Sequence, residues 1–127
     1  MENFQQFSEQ VHQVFESLNQ ARDKALLQAR HLTRLSAQTI RAIHRNEVEA
    51  AAANLREAGS LAAAIKAMLT DFPQLYHAGY TQDALKEYAE ASLTCAIILH
   101  QPLPTPEALE IDYPTYLNGL AEVTGEQ

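Results

Sequence analysis

Glu87 and Glu90 stand three residues apart, so on a helix both carboxylates share one face, with Asp83 one turn earlier on that face. Like charges at this spacing destabilise a helix by roughly a few tenths of a kcal/mol each. The positions that would carry a compensating base are Ala91 and Thr94. Glu122 and Glu126 form a second pair, four apart, again without a basic partner. They fall near a helix C-terminus, where the macrodipole disfavours negative charge. One such pair reads most simply as a solvated face. Two pairs on facing helices would bring four carboxylates together, and a cation would offset their repulsion. Oxygen-only donors suit Mg²⁺ or Mn²⁺ better than Zn²⁺. Such an ion activates water for in-line phosphodiester hydrolysis. His100 is a possible further donor to manganese, although a histidine at a helix end reads more simply as a cap.

A second constellation is basic. On a helical wheel Arg30, Arg34, Arg41 and Arg45 fall within about one-sixth of a turn. The plain reading is a polar helix face; the functional one is a track of phosphate contacts. Arginine at all four places favours phosphate, whose geometry the guanidinium fork matches. The tyrosines, Tyr76, Tyr80, Tyr88, Tyr113 and Tyr116, are candidates for base stacking, with core or interface packing as the simpler role.

The elements that must position these groups are helical. In 127 residues, enough for one domain over residues 1–127, Ala and Leu dominate an apolar fraction of 46%. Val and Ile are too few for strands. Phe4, Phe7, Val11, Val14 or Phe15, and Leu18 recur at spacings of three and four, and Ala25, Ala29, Leu32, Ile40 and Ile43 continue the pattern to about His44. The polar stretch Asn19–Asp23 is a candidate bend. Asn46 reads as an N-cap with Glu49 as its capping-box partner. A second helix to about Leu69 carries a seam for an antiparallel neighbour, and Gly59 marks an expected close crossing. Asp71-Phe72-Pro73 stops it. A third long helix is expected from about Thr81 to His100, most apolar in its second half. Gln101–Pro106 is an extended connector, followed by one turn after a Thr105 cap and a last helix from Tyr113 to about Thr124 after Asp112. The fold class is all-α, an antiparallel helical bundle.

Charge and absences narrow the function. The net charge is −7, against a purely electrostatic nucleic-acid binder. Yet residues 22–45 hold six basic side chains against Asp23 alone, whereas Glu87 onward has no Lys or Arg. There is no phosphate-binding glycine loop, HExxH, ExxH or obvious nucleophile triad. Cys95, the single cysteine, sits in an apolar run and reads as a buried hydrophobe in a reducing compartment. No apolar leader and no membrane-length segment is present, so a cytoplasmic protein is expected.

The segment Leu85-Lys-Glu87-Tyr-Ala-Glu90-Ala91 resembles the "QEYxEA" helix of the translin family, in its catalytic branch typified by translin-associated factor X. Leu103-Pro-Thr-Pro-Glu-Ala-Leu109 resembles the connector of prokaryotic members, and Asp112 to Glu126 resembles the "DYLLGxADLTGE" helix. Arg22-Asp23, Arg30 and His44-Arg45 are similar to a basic helix of that family ending in His-Arg. The resemblance spans about Ala21 to the end, and the two acidic motifs together make it fairly specific. It implies a translin-like helical domain, assembly into hollow homo-oligomers, binding of single-stranded RNA or DNA, and Mg²⁺-dependent endoribonuclease activity. The family's catalytic and metal-binding carboxylates correspond to Glu87, Glu90, Glu122 and Glu126. Glu122 departs from the pattern, standing where the family usually has Asp. The family helix also continues beyond the position of Gln127 into further helices, so the chain corresponds to a translin-like fold without its C-terminal helices, whose apolar surface a partner would cover. The alternatives to a nuclease are a non-catalytic single-stranded nucleic-acid binder, which needs the arginines and not the glutamates, and a helical scaffold subunit.

Overall fold

A computed structural model describes residues 2–125 as six helices, with no strand among them. These are α1 (Glu2–His44), α2 (Val48–Met68), the single turn α3 (Pro73–Tyr76), α4 (Gly79–Ile98), the single turn α5 (Pro106–Leu109) and α6 (Tyr113–Thr124). Helix α1 is about 65 Å long at 1.5 Å per residue. The polar stretch at Asn19–Asp23 does not bend or interrupt it; Asn19, Gln20, Arg22 and Asp23 are exposed, Ala21 is buried, and the segment stays helical.

The reversal between α1 and α2 differs from the expected capping box. Asn46 lies in the left-handed region (φ 62°) and Glu47 takes the N-cap position without a side-chain cap bond. Glu47 N–H donates to Ala42 O at 2.9 Å and Asn46 N–H to Ile43 O at 3.2 Å. That pair of bonds is a Schellman ending, so Asn46 closes α1 instead of opening α2. His100 (φ 56°) ends α4 in the same way, with Gln101 N–H on Ala96 O at 2.8 Å. The Thr105 hydroxyl caps α5 as expected, accepting from Ala108 N–H at 3.1 Å. Asp112 stands at the N-cap of α6, without a side-chain bond.

The contacts fix the directions of the helices. On α2, Ala51 packs with Ala42, Ile43 and Cys95, whereas Ile65 and Leu69 share a cluster with Ala25, Leu32 and Leu85. Residue numbers on α2 rise as those on α1 and α4 fall, so α2 is antiparallel to both. Between α4 and α6 they rise together: Thr115 lies beside Gln82 and Gly119 beside Ala89. The connector of residues 99–112, which includes the α5 turn, carries the chain back and makes α6 parallel to α4. Leu32, Ile43, Ile65, Leu69 and Leu93 fill the centre, and alanines at 25, 29, 58, 62, 84, 89 and 91 let the helices approach closely. Cys95 is buried among them, and burial pushes its thiol pKa up, as for an inert hydrophobe. Gly59 makes room for the Tyr88 ring, whose hydroxyl oxygen lies 3.0 Å from where a Cβ would stand, and not for a neighbouring backbone.

Candidate metal and nucleic-acid site

Helix α6 reaches α4 at Gly119. A Cβ there would meet Ala89 Cβ and Lys86 O, each at 3.1 Å, and Glu90 N at 3.3 Å. Without that atom the two helices touch backbone to side chain. The start of α6 is pinned by a relay in which the buried Thr115 hydroxyl donates to Gln82 Oε1 at 2.6 Å, and Gln82 Nε2 donates to Tyr76 O at 2.7 Å. The Tyr116 hydroxyl donates to Pro104 O at 2.8 Å and ties the connector to the same helix. One turn beyond Gly119, Glu122 is thereby delivered to the face of α4 that carries Glu87 and Glu90.

Carboxylate oxygens of Glu87, Glu90 and Glu122 all lie within 4.8 Å of one another, on half-buried side chains. Burial pushes the Glu90 carboxyl up to about 8, assisted by hydrogen bonding with Glu122 and the negative charge of Glu87. The Glu122 carboxyl is held below its usual range, chiefly by a hydrogen bond from Lys86. Lys86 Nζ donates to Glu122 Oε1 at 2.8 Å and stands 4.0 Å from Glu87 Oε1. That bond raises the lysine pKa in turn.

Lys86 corrects the sequence expectation that both acidic pairs lack a basic partner. Its position immediately before Glu87 is plain in the sequence, but its partner is 36 residues away across the α4–α6 crossing. Glu126 lies outside the described residues. Asp83 is exposed and is not among the three converging carboxylates. His100 is exposed at its left-handed cap and is likewise outside the cluster.

The cluster opens on the groove between α1 and α4. One cavity there, of about 290 Å³, is lined by Ile40 and His44 of α1, Glu90 and Thr94 of α4, and Glu122 of α6. A second, of about 520 Å³, lies nearer the start of α4 and is lined by Arg30, Arg34, Tyr80 and Asp83. Along both cavities α1 and α4 advance together, so these helices are parallel. Arg30, Arg34, Arg41 and Arg45 are all exposed, and among the described residues none has a carboxylate at ion-pair distance. Tyr80 lines the arginine cavity and its hydroxyl has no protein partner. Tyr76, Tyr80, Tyr88 and Tyr116 pack against the body of the molecule, whereas exposed Tyr113 donates to Glu107.

A crystal structure of apo-NeC3PO matches this chain with a TM-score of 0.85 at 22% sequence identity, over 92% of this chain and 62% of that one. The fold is translin-type. The chain thus spans less than two thirds of the translin-type chain it matches. No protein-family model and no curated protein matches it by sequence. Among the described residues no helix is long and apolar enough to cross a membrane.

Proposed function

We propose that this chain is a translin-like protein that binds single-stranded RNA or DNA and cuts RNA as a Mg²⁺- or Mn²⁺-dependent endoribonuclease. The convergence of Glu87, Glu90 and Glu122 from two helices carries this reading. The donor set fits a hard divalent cation: three carboxylates held together against their own repulsion, with Glu90 kept protonated by burial and, after that, by the other two. Glu126 is the expected fourth donor. A bound ion would supply Lewis-acid activation of water and of the scissile phosphodiester. The protein's own part is to hold the three carboxylates through the Gly119 crossing; Glu90 would give up its proton to solvent on becoming a ligand. Arg30 and Arg34, which line the cavity, and exposed Arg41 and Arg45 farther along α1 would hold successive phosphates, and the edge of the partly buried Tyr80 ring would meet a base. A homo-oligomer in the cytoplasm is the expected working form.

The test is cleavage of a labelled single-stranded RNA with Mg²⁺, with EDTA, and by Glu87→Ala/Glu90→Ala protein. Cleavage that requires both the metal and the glutamates supports the nuclease. A second reading is favoured by the Lys86–Glu122 bond, which neutralises part of the cluster without any ion. On that reading the chain binds single strands through its arginines and does not cut. Salt-sensitive binding that persists in EDTA, with no cleavage, would select it.

A further inference from the structure

The cavity beside the carboxylates has a second wall that the glutamates do not reach. Glu90 and Thr94 line it from α4 and Glu122 from α6, whereas Ile40 and His44 line it from α1. His44 is exposed, and among the described residues it makes no ion pair with a carboxylate. Its ring nitrogens also fall outside the group of donor atoms that lie within 4.8 Å of one another. The imidazole and the glutamates therefore border the same open space of about 290 Å³ from different helices, without touching.

The backbone under His44 is well held. It is the last residue of α1, directly after Ala42 and Ile43, which are buried in a cluster with Ala51 and Cys95. The next turn is closed by Arg45 N–H on Arg41 O at 3.2 Å and by Glu47 N–H on Ala42 O at 2.9 Å. Packing on one side and the left-handed Asn46 on the other fix where the side chain starts.

In-line displacement places the entering and leaving oxygens on opposite sides of phosphorus. With the carboxylates on the side of the entering water, the leaving oxygen points toward the α1 wall. A sugar alkoxide is a poor leaving group and needs a proton as its bond to phosphorus breaks. Lys86 is already engaged by Glu122 and stands beside Glu87. Arg41 and Arg45 do not give up protons. Glu90 loses its proton on becoming a ligand, and the Thr94 hydroxyl is a poor acid. Of the groups around this cavity, the imidazole is the one suited to the task.

We propose that His44 is the general acid of the cleavage reaction, an inference that rests on the nuclease reading above. Water adds to phosphorus and gives its own proton to solvent. The bond from phosphorus to the leaving sugar oxygen breaks, that oxygen keeps the bonding pair, and it takes the imidazolium proton of His44. The products are a phosphate monoester and a free hydroxyl, and solvent returns a proton to the imidazole.

The experiment compares the parent chain with its His44→Gln variant, which keeps a hydrogen-bonding side chain but has no proton to transfer. Each is given, with Mg²⁺ or Mn²⁺, a labelled single-stranded RNA and a nitrophenyl phosphodiester of a nucleoside, whose phenolate leaves without a proton. The variant is expected to lose about 10²–10⁴-fold on RNA, the usual contribution of a general acid, while its ester cleavage stays within about threefold of the parent. Equal losses on the two substrates would make His44 a phosphate-binding or structural residue and overturn the proposal. An RNA rate equal to the parent's would overturn it as well. A parent chain that cuts neither substrate removes the nuclease reading, and this proposal with it. A readout free of turnover is the imidazole NMR signal of His44, identified by its loss in the variant, as a short single-stranded DNA is added in EDTA. The signal is expected to shift as a phosphate enters the cavity; a signal unmoved by saturating DNA would overturn the placement.

Discussion

Three carboxylates within 4.8 Å cannot all ionise cheaply, and Glu90 is the one that keeps its proton. Its folded pKa, about 8, lies above the ordinary value of 4.5, so between those limits the folded chain binds more protons than the unfolded one. Stability contributed by this group is therefore lost as pH rises from about 4.5 through about 8. Glu122 runs the opposite way, its lowered pKa adding stability that is lost as pH falls into the acid range. The Glu90→Gln variant should show a flatter denaturation midpoint between pH 5 and pH 8 than the parent chain, by roughly the share of the shift that solvent leaves unscreened. Calorimetry in two buffers of different ionisation enthalpy should find up to about one proton released per ion bound at pH 7. Lys86 holds Glu122 Oε1, an oxygen that the proposed cation would also take. Replacing it by Met should tighten Mn²⁺ binding by roughly 1.5- to 5-fold, the scale of a partly solvated ion pair. Unchanged affinity in that variant would show that the lysine and the ion do not share the carboxylate.

At the level of elements, the site depends on how closely α6 can lie on α4. Gly119→Val would place methyl groups where Ala89 Cβ, Lys86 O and Glu90 N already leave 3.1–3.3 Å. The expected loss is about 1–3 kcal/mol in urea unfolding, with Mn²⁺ binding weakened because Glu122 is moved from the other two glutamates. Much of this arrangement was legible in the sequence. The spacing of Glu87 and Glu90, the Pro73 stop, the Thr105 cap and the start of α6 at Tyr113 are local signals, and each is realised. Asn46 misled because asparagine serves both at N-caps and in left-handed helix endings, and only the Ala42–Glu47 bond decides between them. Gly59 and Gly119 look alike in sequence, yet the first admits a tyrosine ring and the second a helix. Lys86 was missed because its partner becomes visible only once the parallel register of α4 and α6 is known. The free N-terminal half of α1 carries the same heptad as the packed half, so nothing local distinguishes them.

Across the whole molecule, a basic helix edge and an acidic cluster lie along one groove of a chain whose net charge is −7. Binding of single strands should therefore be local and strongly salt-dependent. Four phosphate contacts give a slope of log K against log[salt] of about −3, and Arg34→Ala with Arg41→Ala should reduce it by about 1.4. A slope unaltered by that double change would move the contact surface elsewhere. The proposed cation site of Glu87, Glu90 and Glu122 is open to direct measurement. Its most direct test is a Mn²⁺ titration followed by electron paramagnetic resonance, on the parent chain and on Glu87→Gln/Glu90→Gln protein. Saturable binding is expected at pH 8, weakening toward pH 6 and dropping at least tenfold in the variant. Binding of equal strength in the variant would contradict it.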